Sequence, residues 1–248
     1  MSTDDLFPKD LSSAGVTHLP PSPPIEPTKR EKRRSSIASI ASRTSRASRA
    51  SNGSMVASTP ALVPQHKHIW VITGPAGCGK TSVAEYLHLA FALPYLEGDT
   101  FHTPQNVKKM AEGHPLTDAD RWDWLILLRE QSLQTLHESG TSGVIVTCSA
   151  LKRKYRDVIR IATYHNPAIL VHFVFLNATE SLLMDRVRGR QNHYMKDYMV
   201  HSQFESLEAP QKDETDVLSV EASGTSVEVQ RLALAVVRKT MEMDAGAA

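Results

Sequence analysis

Cysteine is scarce: Cys78 and Cys148 are the only two in 248 residues. Two thiols cannot build the disulfide framework of a small secreted domain, so both are expected to be reduced in a cytoplasmic protein. No apolar run approaches the roughly 18 residues that a membrane-spanning helix requires. Neither sign of charge is in excess, since 28 Lys and Arg face 27 Asp and Glu for a net charge of +1. Nothing in that balance calls for a nucleic-acid or membrane partner, and neither is expected. What remains is a hydrophobic content of 41%, enough at this length for one good core.

The charge is unevenly spread. Residues 1 to 65 carry 9 Lys and Arg against 5 Asp and Glu, and the rest carry 19 against 22. Pro20 to Pro27 is rich in proline, and Ser35 to Ser58 is mostly Ser, Ala and Arg with almost no large apolar side chain. Such a segment cannot bury enough surface to offset its ordering entropy, so a disordered tail over 1 to 65 is expected before a single domain over 66 to 248. Its acidic start, Asp4, Asp5 and Asp10, and the want of an apolar core argue against a transit or secretory peptide. Lys29 to Arg34 reads as a solvated linker, with a nuclear address or an anionic-surface contact as alternatives. Ser36, Ser45, Ser48 and Ser51 follow arginine at the spacing that basic-directed kinases select, which makes the tail an expected phosphorylation target.

The most informative stretch begins at His68. Ile69 to Thr73 is β-branched, aromatic and apolar, the composition of a short buried strand. Gly74-Pro75-Ala76-Gly77-Cys78-Gly79-Lys80-Thr81 then fits G-x-x-x-x-G-K-[ST], and Val83, Ala84, Leu87, Ala90 and Phe91 follow at helical spacing. Gly74 and Gly79 permit a backbone that turns successive N–H groups onto phosphate oxygens, beside a helix N-terminus that favours anions. Lys80 supplies charge to the β- and γ-phosphates, Thr81 a hydroxyl for Mg²⁺, and Ser82 continues the cradle. The stretch reads as an ATP site.

Beyond it, apolar runs alternate with amphipathic stretches, the pattern of an α/β domain with a parallel sheet. Strands are expected near Ile69–Thr73, Tyr95–Glu97, Val144–Thr147, Leu170–Leu176 and Val217–Val220. Ligands bind at the carboxyl ends of such strands, which singles out the residues that follow them. Asp99 and His102 follow the second; a carboxylate there can orient or deprotonate an attacking hydroxyl, while a turn or helix cap is the alternative for Asp99 and a structural histidine for His102. After the third, Ser149 is placed to cap a helix, and Lys152 and Arg156, four apart, share one face that is either a binding face or a solvated one. After the fourth, Arg186, Arg188, Arg190 and His193 surround Gly189 and suit a lid over ATP or an exposed helix end. The third strand ends without an aspartate, so a second acidic partner for Mg²⁺ is not visible.

These residues resemble the gluconate kinases of the shikimate-kinase-like branch of P-loop phosphotransferases. The resemblance rests on Gly98-Asp99-x-x-His102, on Asn106-x-x-Lys109-Met110-x-x-Gly113-x-Pro115-Leu116-x-Asp118-x-Asp120-Arg121-x-x-Trp124-Leu125, and on Cys148-Ser149-Ala150-Leu151-Lys152-x-x-Tyr155-Arg156-Asp157. Gln203-Phe204-Glu205-x-Leu207-Glu208-x-Pro210 and Asp213 to Leu218 complete it over residues 68 to about 221. It implies a three-layer α/β sandwich with a five-stranded parallel sheet in the order 2-3-1-4-5. It also implies ATP- and Mg²⁺-dependent phosphorylation of D-gluconate to 6-phospho-D-gluconate, which feeds the pentose phosphate pathway. Carried over by position, Gly74 to Ser82 and Arg186 hold the nucleotide, and Lys80, Asp99 and Arg190 serve catalysis. Asp99, His102, Arg121, Ser149, Lys152 and Arg156 meet the substrate, whose carboxylate suits a cationic pocket. A homodimer is left open. A related kinase of another small acceptor and a nucleotide-sensing interaction protein are the competing readings; intact Lys80, Thr81 and Asp99 weigh against the second.

Overall fold

A computed structural model describes residues 64–164, 166–189 and 197–246. The expected tail lies outside the described residues but for its last two positions, and so do Arg190 and His193. The strands are β1 (Lys67–Thr73), β2 (Tyr95–Glu97), β3 (Gly143–Thr147), β4 (Ile169–Asn177) and β5 (Val217–Glu221). They form one parallel sheet in the order β2-β3-β1-β4-β5, as the resemblance implied. The helices between them are α1 (Lys80–Phe91), α2 (Pro104–Ala111), α3 (Asp118–Ser139), α4 (Arg153–Arg160), α5 (Glu180–Arg188), α6 (Asp197–Glu205) and α7 (Ser226–Ala245). One-turn 3₁₀ helices lie at Gly98–Phe101 and Ile161–Thr163.

The two-residue period of a strand decides the layers. On β1, Trp70 and Ile72 face a core built with Ala84, Leu87, Leu183 and Val237. Ile69 and Val71 face the opposite core, with Trp124, Leu125, Leu128 and Tyr155. The central strand is therefore buried on both sides, which is why it reads as an unbroken apolar run. It starts two residues earlier than its composition suggests, because His68 is fully buried, stacked on Trp70 and bonded through Nδ1 to His172 Nε2 at 3.1 Å.

Helix α3 begins at a capping box in which Thr117 and Asp120 exchange bonds, and α7 begins at the matching Thr225–Glu228 box. At the amino edge of the sheet, Asp244 near the end of α7 accepts the His66 N–H at 3.0 Å and lies 3.3 Å from His68 Nε2. The carboxyl edge carries the loops described next.

Candidate active site

The loop after β1 turns from strand to helix in the six residues Gly74 to Gly79, and Gly74, Gly77 and Gly79 take φ of 138°, 83° and 100°. A Cβ on Gly74 would lie 2.9 Å from Cys78 Sγ and 3.0 Å from the Leu176 carbonyl of β4, so the residue is fixed by close approach as well as by φ. The Lys80 ammonium donates to the Gly74 and Pro75 carbonyls at 3.0 and 3.1 Å, folded over the loop it would serve. Cys78 and Cys148 are free and buried, and burial raises both thiols, Cys148 to about 12. Neither is a nucleophile at neutral pH.

Two cavities flank this loop. One, of about 320 Å³, is lined by Gly77, Cys78, Gly79, Ser82 and Arg186 together with the turn between β5 and α7. Arg186 closes its far side by donating to the Gly224 carbonyl at 2.7 Å. The other, of about 460 Å³, is lined by Lys80, Asp99, His102, Arg121 and Ser149 among others. Gly77 to Gly79 border the first, and Ala76 and Lys80, on either side of them in the chain, border the second.

Gly98 explains why Asp99 is where it is. A Cβ on Gly98 would fall 1.9 Å from the Thr147 carbonyl, so only glycine lets β2 end against β3. The Gly98 N–H donates to Thr147 Oγ1 at 3.0 Å, and the Trp124 indole donates to the Gly98 carbonyl at 2.8 Å. The next residue, Asp99, thus leaves the sheet edge from a fixed point. His102 stacks on Trp124 with ring centroids 4.0 Å apart, and its buried Nδ1 has no hydrogen-bond partner. Burial lowers its pKa, so the imidazole on this wall is neutral at neutral pH. Arg121 donates to the carbonyls of Leu116 and Thr117 and lies over the Tyr155 ring at 5.4 Å.

Several sequence expectations need correction. Arg156 is not a solvated residue and lines neither cavity. Its side chain is 1% exposed, its guanidinium grips Glu214 with two bonds of 2.7 Å, and its third nitrogen reaches the carbonyls of Ala150, Leu151 and Glu208. With every nitrogen of that fork committed, it builds structure. Lys152 also lines neither cavity; it pairs with Asp118 at 3.1 Å, joining the start of α4 to the start of α3. Ser149 does not cap α4, whose first helical residue is Arg153. It lines the larger cavity, and its carbonyl accepts the Thr73 hydroxyl at 2.6 Å.

Two residues that the sequence reading named were given no role by it. Glu97, at the end of β2, accepts the Thr81 hydroxyl at 3.2 Å and also the hydroxyls of Tyr95 and Thr147. It is the acidic neighbour of Thr81 that β3 does not supply, and the carboxyl-end rule applied one residue earlier would have found it. Gln203 of α6 accepts the Ala76 N–H at 2.7 Å, a contact across 127 residues that no local pattern announces.

A glycine-rich loop on the carboxyl end of β1, with a lysine and a carboxylate lining one cavity, defines a P-loop kinase of small molecules. The comparisons narrow the class. A family profile described as an AAA domain matches residues 71–212. A probable gluconokinase of Schizosaccharomyces pombe is 42% identical over 174 residues, 70% of this chain and 90% of that protein. The thermosensitive gluconokinase of Escherichia coli is 35% identical over 152 residues, 61% of this chain and 78% of that one. The crystal structure of a gluconokinase from Sinorhizobium meliloti superposes with a TM-score of 0.62 at 37% identity, covering 73% of this chain and 96% of that chain. The chain belongs to the gluconokinase family.

Proposed function

We propose that the protein transfers the γ-phosphoryl group of ATP to the 6-hydroxyl of D-gluconate, giving 6-phospho-D-gluconate and ADP. The observation that carries this reading is the meeting of Lys80 and Asp99 in one cavity beside the phosphate loop. Asp99 orients the hydroxyl and takes its proton as the oxygen bonds to phosphorus and the bond to the β-phosphate oxygen breaks. Lys80 moves from its resting carbonyls to the β- and γ-phosphates and stabilises the charge that develops there. Arg121 and the neutral His102 bind the acid's carboxylate and hydroxyls. Arg186 lies against the nucleotide; Arg190, which the resemblance assigns to catalysis, lies outside the described residues.

The donor set near Thr81 fits Mg²⁺: a hydroxyl and the Glu97 carboxylate, both hard oxygens, lie 3.2 Å apart. Among the described residues no group of three or more His, Cys, Asp and Glu side chains could hold a metal by itself. Thr81 and Glu97 would therefore share the ion with phosphate oxygens and water, and when bound it neutralises charge between the β- and γ-phosphates. Among the described residues no helix is long and apolar enough to cross a membrane, and we place the activity in the cytoplasm, in a catalytic domain over 66 to 248.

The test is ADP release with Mg-ATP and, in turn, D-gluconate, shikimate, AMP or no acceptor, with Asp99→Asn in parallel. Release that depends on gluconate, with turnover depressed far more than ATP affinity in the variant, is expected. Release indifferent to the acceptor would refute the assignment, and equal losses of turnover and ATP affinity would make Asp99 a structural or metal-holding residue.

A further inference from the structure

The run from Gln203 to Glu208 has no part in the chemistry so far. It forms the end of α6 and the turn after it, and α6 supplies one wall of the larger cavity through Met199, Ser202 and Gln203, spaced three and four apart on one helix face. The end of this wall is pinned. The Glu208 N–H donates to the Leu151 carbonyl at 3.0 Å, the Glu208 carbonyl accepts from Arg156 at 3.2 Å, and its carboxylate accepts the Arg153 N–H at 2.7 Å.

Gln203 then makes a contact with a chemical consequence. A backbone N–H only donates, so the atom of the Gln203 amide that meets Ala76 must be the oxygen. The loop side of the contact is rigid, because Ala76 is 5% exposed and lies between glycines of fixed, positive φ. Anchoring Oε1 sets the amide plane and leaves Nε2, with two N–H donors, as the branch free to serve a ligand. The cavity that Gln203 lines already offers a carboxylate in Asp99 and cations in Lys80 and Arg121. A neutral donor is what an uncharged hydroxyl oxygen of a polyhydroxy acid requires.

We infer that Gln203 is an acceptor-binding residue: Nε2 donates to a hydroxyl oxygen of the sugar acid while Oε1 stays on Ala76. That double contact ties the acceptor directly to the phosphate loop, so that the reacting hydroxyl is held in register with the group it attacks. Register matters at this scale, since a misplacement of about 1 Å can cost about a hundredfold in rate. The inference rests on the gluconate kinase reading above.

Two substitutions in the full-length chain separate its parts. Gln203→Glu keeps the length and an oxygen for Ala76 but exchanges the donor for a second oxygen; Gln203→Leu removes both. In each, KM for gluconate is expected to rise by at least about tenfold, the loss of one good hydrogen bond. In Gln203→Glu the Kd of a fluorescent ATP analogue and the unfolding midpoint should stay near wild type, whereas Gln203→Leu strands the buried Ala76 N–H and should lower the midpoint. A KM for Gln203→Glu within about twofold of wild type would overturn the inference, because the contact to Ala76 alone would then suffice. So would an ATP Kd that weakens in step with KM, which would mark a disturbed loop or repulsion of phosphate. Wild-type protein that fails to turn over gluconate would remove the kinase reading and this inference together, whereas active wild type with an indifferent Gln203→Glu removes the inference alone.

Discussion

Arg156→Met distinguishes a structural arginine from a substrate-binding one. The wild-type side chain is 1% exposed and its partner Glu214 is equally buried. Removing one member of a buried, hydrogen-bonded ion pair costs about 3–5 kcal/mol, because the remaining charge is stranded. Here Glu214 keeps Arg160 at 2.7 Å and the Gln211 N–H at 3.1 Å, which places the loss near the lower end, about 3 kcal/mol. With a urea slope of about 2 kcal/mol per molar, the midpoint should fall by about 1.5 M with the slope unchanged. Arg156→Met with Glu214→Leu should recover part of that loss, since no buried carboxylate is then left short of a partner.

A pH signature accompanies the change. Arg156, then Arg160, hold the Glu214 carboxyl down at about 2 against an ordinary value of 4.5. A carboxylate depressed in the folded state contributes stability that is complete above its unfolded value and is lost as pH falls toward the folded one. The acid loss of stability between pH 4.5 and 2 should therefore be shallower in Arg156→Met than in wild type. Denaturation curves at several pH values and steady-state kinetics on the folded variant decide the matter. A midpoint within about 0.3 M of wild type, together with a KM for gluconate raised tenfold, would refute the structural reasoning and return Arg156 to the substrate.

Lys80→Ala should leave the unfolding midpoint unchanged and lower kcat by at least about a hundredfold, and near-normal turnover would sink its phosphate role. Glu97→Gln should raise the Mg²⁺ concentration for half-maximal rate by about tenfold, read from Mg²⁺ titrations at fixed ATP; an unchanged titration would confine Glu97 to its hydroxyl partners. Burial holds His172 down at about 4, next to His68, against an ordinary 6.5. A histidine kept neutral by the fold must be protonated as acid unfolds the chain, so stability should decline as pH drops from 6.5 toward 4, and less steeply in His172→Phe. Equal slopes in the two proteins would place the acid sensitivity elsewhere.

The fold was legible because β1, β3 and β4 are buried on both faces and so carry continuous β-branched and apolar runs. The phosphate loop was legible because its chemistry is local: the residues that need each other are neighbours in the chain. Asp99, His102 and Ser149, which line the larger cavity, were singled out by position, as residues that follow strands. What failed was the inference from helical spacing to shared function. Lys152 and Arg156 are one turn apart, yet one is drawn to Asp118 and the other sinks onto Glu214, 58 residues later. Partners that distant leave no periodic trace, and the same is true of Gln203 and Ala76.

The bond from His66 to Asp244 brings the first strand's start and the last helix's end together at the edge of the sheet opposite the phosphate loop. Residues 66 and 244 thus lie side by side at the face of the sheet remote from the phosphate loop. For the same reason the domain is a natural subject for circular permutation: a short linker could join these neighbouring ends, with new termini opened in the 140–142 turn between α3 and β3, while every cavity-lining segment keeps its place.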